Sequence, residues 1–265
     1  MNINRIRATL LQEYYMVQRS LETIVDVFVY PIMNIIVFGF ISKFLLGSTD
    51  RSVFLSLIVA MLFWQIFSTS QYTISVATLW NMWAHNLTNL FATPTTFLEY
   101  FIAHAITALI KALLVFFVGA LIAYFQFGYN VVNIPFPLLL VIMINLYLSG
   151  IAIGLVLVGF IFAYGTRIQA LAWGFISIIQ PLASVFYPLS VLPEPFQSLA
   201  RFLPLTYMFE ALRQIISQTA PLPIIHTQLM IGSCITLIYL IISFIIFKYL
   251  LAYSKDSGQF AKNDL

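Results

Sequence analysis

Apolar residues run in long unbroken tracts along this chain, and polar residues collect in the gaps between them. A bilayer core of ~30 Å needs about 20 apolar residues of helix to cross it. Six tracts reach that length: 24–46, 53–79, 98–125, 136–163, 170–190 and 228–252. No formally charged residue stands between Arg51 and Glu99, between Lys111 and Arg167, or between Arg213 and Lys248. Backbone groups in lipid must be paired internally, which leaves helices or a closed barrel. These tracts are continuously apolar rather than alternating, so the prediction is helices.

The gaps have patterns of their own. In residues 1–19, Ile3, Ile6, Leu10, Tyr14 and Val17 recur at helical spacings among Arg5, Gln12, Glu13 and Arg19. This predicts an amphipathic helix lying in the membrane interface, too polar to be a cleaved signal peptide. Between the second and third tracts, residues 82–93 read as a short surface helix. Trp80 and Trp83 suit the membrane–water boundary. Leu87, Leu90 and Phe91 give that helix an apolar face, and Thr93-Pro94 ends it, because the residue before proline avoids the α region. From 191 to 227, Pro193, Pro195, Pro204, Pro221 and Pro223 cut the chain into pieces. Short helices over 196–203 and 205–218 cannot cross the bilayer and are expected to dip in and out, or lie flat, at the outer face. The stretch 254–265 is polar and expected to fray.

Composition sharpens this reading. Of 265 residues, 62% are hydrophobic and 8% are charged, against roughly 25% charged in a soluble domain. That excludes a soluble enzyme, a disordered segment and a nucleic-acid binder. The net charge of +3 matters less than its placement. Six crossings put both termini on one side, together with Arg5, Arg7, Arg19, Arg167, Lys248, Lys255 and Lys262. The other side has Lys43, Arg51, Arg201 and Arg213. The excess of Lys and Arg predicts cytoplasmic termini. The single cysteine, Cys234, excludes a disulfide framework within the chain.

Catalytic chemistry is missing. The sequence has no G-x-x-x-x-G-K-[ST] phosphate loop, no H-E-x-x-H and no G-x-S-x-G. His85, His104 and His226 lie far apart, and no metal site is expected. No internal repeat is evident, which weighs against transporters built from duplicated halves.

Polar residues inside the tracts form three stripes. Glu22, Asp26, Tyr30 and Asn34 step by four along the first, beside Pro31, which invites a kink. Gln65, Ser68, Thr69, Tyr72 and Ser75 share roughly one side of the second. Trp173, Ser177, Gln180, Ser184 and Tyr187 form a heptad-like seam on the fifth, beside Pro181. Such stripes either line a wettable path for an amphiphile or hydrogen-bond between helices. Asp26, Tyr30, Asn34, Gln65, Thr69, Tyr72, Ser177, Gln180 and Ser184 are the candidate path residues. Lys111 lies deep in the third tract, with His104 seven residues earlier on about the same face. An unpaired charge there costs roughly 2.5–3.5 kcal/mol or more. A partner carboxylate or a water-filled cavity is implied, serving a structural ion pair or a substrate contact. Gly150-x-x-x-Gly154 permits close helix packing.

The layout resembles the membrane permeases of type-2 ATP-binding-cassette exporters, the ABC-2 type. The resemblance rests on the amphipathic N-terminal segment before six tracts and on Leu87-Thr-Asn-Leu-Phe-Ala-Thr-Pro-Thr-Thr96 after the second. It rests further on Tyr164-Gly-Thr-Arg-Ile168 between the fourth and fifth, and on Tyr187-Pro-Leu-Ser-Val-Leu-Pro-Glu-Pro195 with Phe202-Leu-Pro-Leu-Thr-Tyr207 and Glu210-Ala-Leu-Arg213.

The resemblance implies one all-α transmembrane domain over 1–265. It would have six spans, an interfacial N-terminal helix, a cytoplasmic coupling helix over 82–93, and outer-face re-entrant helices over 191–227. It implies a homodimer in the lipid of a bacterial inner membrane, with two copies of a separate cytoplasmic ATPase that bind ATP and Mg. This chain would hold no cofactor and handle no nucleic acid. Leu87, Asn89, Leu90, Phe91 and Pro94 would form the coupling surface, and an amphiphile such as a lipid-linked glycan, a lipid or a drug-like molecule would leave the cytoplasm. In the family, coupling helices commonly carry charge, whereas here only His85 is titratable between Trp80 and Thr96. Docking would rest on shape, apolar contact and Asn81, Asn86, Thr88 and Asn89. The competing reading is an ATP-independent channel or secondary transporter using Asp26 and the Lys111–His104 face.

Overall fold

The computed structural model describes residues 1–45 and 51–258. Among the described residues the chain is almost entirely helical, without strands. The element order is α1 (Ile3–Arg19), α2 (Leu21–Ile24), a π turn (Val25–Val29), α3 (Tyr30–Leu45), α4 (Arg51–Trp83), α5 (Leu87–Ala92), α6 (Phe97–Phe127), α7 (Phe136–Tyr164), α8 (Gln169–Leu182), α9 (Glu194–Ala200), α10 (Pro204–Ser217) and α11 (Leu222–Asp256). The sequence positions Leu46 and Lys262 used above lie outside the described residues.

Among the described residues, five runs of helix are long and apolar enough to cross a membrane: Leu21–Phe44, Phe54–Trp83, Phe97–Phe127, Phe136–Leu182 and Leu222–Asp256. The fourth is folded back on itself. A single 3₁₀ turn at Gly165–Ile168 separates α7 from α8, where the sequence predicts the junction of its fourth and fifth spans. Gly165 takes φ 70°, which a glycine reaches without steric cost. α8 then runs antiparallel to α4. Trp173 stacks on Trp83 at 6.0 Å, Ala172 accepts a 3.2 Å bond from Gln71 Nε2, and Gln180 shares a cleft with Gln65.

Four of the other five legs, α3, α6, α7 and α8, pack around α4, whose side chains are buried almost all the way round. α6 and α3 run antiparallel to it, and Gly119 of α6 lets Ile35 and Leu62 close over the position of its absent side chain. α7 runs parallel to α4. The predicted glycine contact is there: a side chain at Gly150 would meet the Phe67 carbonyl, and one at Gly154 would meet Ile74. α11 runs parallel to α7, tied by Asn145 to Ser233 (3.0 Å) and by Ser254 to the Phe162 carbonyl (2.5 Å).

The helix ends follow local chemistry. Thr96 and Glu99 form a reciprocal capping box at the start of α6, and Gly128 closes its other end at φ 68°. Proline occupies the first turns of α7, α9, α10 and α11, where a missing N–H breaks no helical bond.

Four boundaries differ from the sequence reading. α4 runs on through Trp80 and Trp83, so the surface helix is only Leu87–Ala92 rather than 82–93. α8 stops at Leu182, eight residues short of the predicted 190. Its 14 residues rise ~21 Å, less than a bilayer core. The chain then turns through Ser184, at φ 55°. α11 begins at Leu222 rather than 228, because Pro223 sits in its first turn instead of ending the preceding loop. The short helices fall at Glu194–Ala200 and Pro204–Ser217. They pack at the end of the bundle opposite α5, with Phe209 against Trp64 and Met208 against Gly232.

Candidate functional site: a polar cleft and a clamped surface helix

Pro31 shapes the first part of the cleft. It lacks the N–H that would continue the helical ladder, and the helix before it opens into a π turn, in which Tyr30 N–H bonds Val25 O. Asp26 sits in this turn. Its Oδ2 accepts a hydrogen bond from the Tyr72 hydroxyl on α4, so the first and second polar stripes meet at this pair. α8 brings the third stripe alongside.

The result is a cleft of about 340 Å³ between α2–α3, α4 and α8. Eight of the nine residues singled out in the sequence line it: Asp26, Tyr30, Asn34, Gln65, Thr69, Tyr72, Ser177 and Gln180. Tyr30, 61% exposed, and the exposed Asn34 form its open edge. Trp64, Ser68 and Trp173 also line it. Ser68 and Trp173 lie in the same stripes, whereas Trp64 belongs to an apolar tract with nothing in its spacing to mark it.

Ser184 is elsewhere. The helix carrying its stripe has ended, and Ser184 is fully buried outside the cleft. Its carbonyl and that of Tyr187 accept from Arg213 Nη2 at 2.7 and 2.9 Å, while Arg213 Nη1 donates to Glu210 at 2.7 Å. Glu210 also accepts from the Leu189 N–H at 2.8 Å. Burial lowers the Arg213 pKa from the usual arginine range, and the Glu210 carboxylate works against that.

Lys111 is 7% exposed and lies 3.3 Å from Glu13 on α1. The other Glu13 oxygen is 3.6 Å from His104 Nδ1. The carboxylate implied by the sequence therefore comes from the interfacial helix. Glu13 follows Ile6 by seven residues, so it shares a helical face with an apolar position, and that spacing is the signal that could have marked it. Ile6, Thr9 and Glu13 face α6, while Ile3, Leu11, Tyr14 and Tyr15 are exposed. The cavity beside His104 is only about 10 Å³, so Lys111 and His104 line no open path there.

The surface helix α5 is anchored by one of its own side chains and by contacts of the segments that flank it. Leu87 is fully buried beside Leu79 and Met82. It anchors the helix and presents no surface to a partner. Leu90 is half-buried, Asn89, Thr93 and Pro94 are exposed, and the Phe91 and Thr88 side chains lie outside the described residues. The Pro94 carbonyl accepts from Arg5 at 2.5 Å, and Glu99 accepts from the Asn2 N–H at 2.6 Å and pairs with Arg5 at 3.5 Å. Gln12 on α1 donates to Asn81 at 3.0 Å, and Asn81 in turn accepts from Asn86 at 3.3 Å. These contacts tie the N-terminal helix to the segments on either side of the surface helix, Asn81 before it and Pro94 and Glu99 after it.

The sequence model of the ABC-2 type transporter family matches residues 6–217. The chain belongs to that family. It is a multi-pass membrane permease, the transport component of an ABC transporter, of a kind that normally pairs with an ATPase subunit. No curated protein sequence matches the permease. The matched region takes in α1, the cleft, α5 and the Arg213 cluster, and ends with α10.

Proposed function

We propose that this permease is one half of the membrane gate of an exporter. Two copies assemble in a bacterial inner membrane with both termini in the cytoplasm. Two copies of a separate ATPase, which bind ATP and Mg, dock on the α5 end. Closure of the ATPases pushes α5, and the contacts through Arg5, Glu99 and Gln12 pass that movement to α1 and the start of α6. The clefts beside α3 and α8 then rearrange at the dimer contact, and an amphiphile passes outward.

The observation that carries this reading is the convergence of three polar stripes on one cleft. The absence of a phosphate loop in the sequence supports an external motor. Exposed Tyr30, Met33, Val37 and Phe40 run beside the open edge of the cleft, an apolar strip suited to a second copy.

The test is co-expression with the candidate ATPase. Asn89→Trp places bulk on the exposed side of α5 without touching the core. It should leave the folded dimer intact while abolishing ATPase co-purification and substrate-stimulated ATP turnover. Transport by the isolated chain in liposomes driven by an ion gradient would refute the proposal.

A further inference from the structure

Lys111 and Asp26 are both ionisable side chains carried on apolar helical runs, Lys111 midway along its run and Asp26 near the start of its own, and the protein treats them differently. Lys111 is compensated by Glu13. Asp26 has only a neutral partner, the Tyr72 hydroxyl, and among the described residues no ion pair joins it to a cation. Among the described residues, no Lys, Arg or His lines its cleft. Glu22, one turn earlier, adds a second negative charge on the approach. Ionisable groups within spans are expensive to keep and are retained for function, each with a partner.

The walls suit a positive partner. The rings of Tyr30, Trp64, Tyr72 and Trp173 line the same cleft as the carboxylate, and aromatic rings attract cations. Two buried polar groups point to a second contact. Gln65 and Thr69 are each 3% exposed and line the cleft. Ser68 donates to Gln65 Oε1 at 3.2 Å, which leaves Gln65 Nε2 with no protein partner among the described residues, as Thr69 Oγ1 also is. A buried donor without an acceptor is costly, and a ligand acceptor relieves it.

We propose that the cleft takes a cationic amphiphile, an apolar molecule whose ammonium-type charge sits at Asp26 and whose hydroxyl, carbonyl or ether oxygen meets Gln65 and Thr69. This rests on the export reading of the cleft and narrows it. Anionic cargo, including phosphate-linked glycans and acidic lipids, is disfavoured by the carboxylates and meets no cation among the described residues.

The experiment is equilibrium dialysis of the full chain in neutral maltoside micelles, with empty micelles subtracted. The probes are tetraphenylphosphonium, tetraphenylborate, which has the same shape and the opposite charge, and rhodamine 6G, a cation with an ester carbonyl. The wild type should bind both cations and not the borate. Asp26→Asn should weaken both cations about tenfold or more, corresponding to ~1.4 kcal/mol, and Asp26→Glu should retain them, which separates charge loss from misfolding. Gln65→Met should weaken rhodamine 6G alone. Wild-type binding of both cations by a folded Asp26→Asn, or a higher affinity for the borate, overturns the proposal, and unchanged rhodamine binding in Gln65→Met overturns the acceptor contact. Failure of the export reading shows differently: the ATPase does not co-purify, while cation binding stays intact.

Discussion

The Lys111 ammonium on α6 lies 3.3 Å from the Glu13 carboxylate on α1, and both side chains are buried. Desolvating two charges offsets most of their attraction, so the pair contributes little net stability, but removing one partner strands the other. Glu13→Gln should therefore destabilise the folded protein by about 3–5 kcal/mol. Replacing both by leucine should recover most of that loss. Thermal unfolding in detergent, read for both single variants and the double, checks the prediction. A double variant as unstable as the sum of the singles would contradict it.

Leu87 and Asn89 are two residues apart on α5 and should behave oppositely. Leu87 is fully buried, so Leu87→Asp puts an unpaired charge into the core and should cost about 3 kcal/mol or more. Asn89 is exposed, and Asn89→Trp should leave the unfolding temperature within about a degree or two, since surface changes stay within ~0.5 kcal/mol. Paired melting curves and ATPase pull-downs distinguish anchor from docking surface.

The two glycines of α7 should differ in tolerance. A Cβ at Gly150 would lie 2.7 Å from the Phe67 carbonyl oxygen, which is backbone and cannot swing aside. At Gly154 the nearest atoms are in the Ile74 side chain at 3.1 Å. Gly150→Ala should cost about 1–3 kcal/mol, in the range of overpacked cores, and Gly154→Ala distinctly less. Equal losses would show that α4 and α7 adjust as rigid bodies.

Arg213 secures the segment after α8 through two carbonyls and Glu210 at once. Lysine keeps the charge but has no planar fork. Arg213→Lys should lower stability by about 1–3 kcal/mol by leaving a buried carbonyl unmet. Hydrogen exchange across residues 183–191 should accelerate in that variant and remain unchanged around Glu13.

The sequence showed less at helix ends than along helices. Pro94 and Pro204 fall where their neighbours' backbone preferences put them, at the end of α5's loop and the start of α10. The stop of α8 at Leu182 was illegible because the seam from Trp173 to Tyr187 keeps its helical spacing after the helix has ended. Arg213, about 30 residues onward in sequence, holds the carbonyls released there. Leu87 looked like docking surface for a similar reason. Its spacing with Leu90 marks an apolar face and leaves open whether that face meets a partner or the protein's own α4.

By itself the sequence determined the solvent, the helical class, the approximate spans, the family and the three polar stripes. The family rests on resemblance between motifs; the others follow from residue-by-residue hydropathy and local spacing, which a bilayer reads directly. Only the tertiary structure decided that the stripes meet in one cleft, that Ser184 is left out of it, that Glu13 answers Lys111, and that among the described residues no cation answers Asp26. Those are pairings between helices. Their free energy depends on which faces are packed together, and the period of a single helix does not specify that.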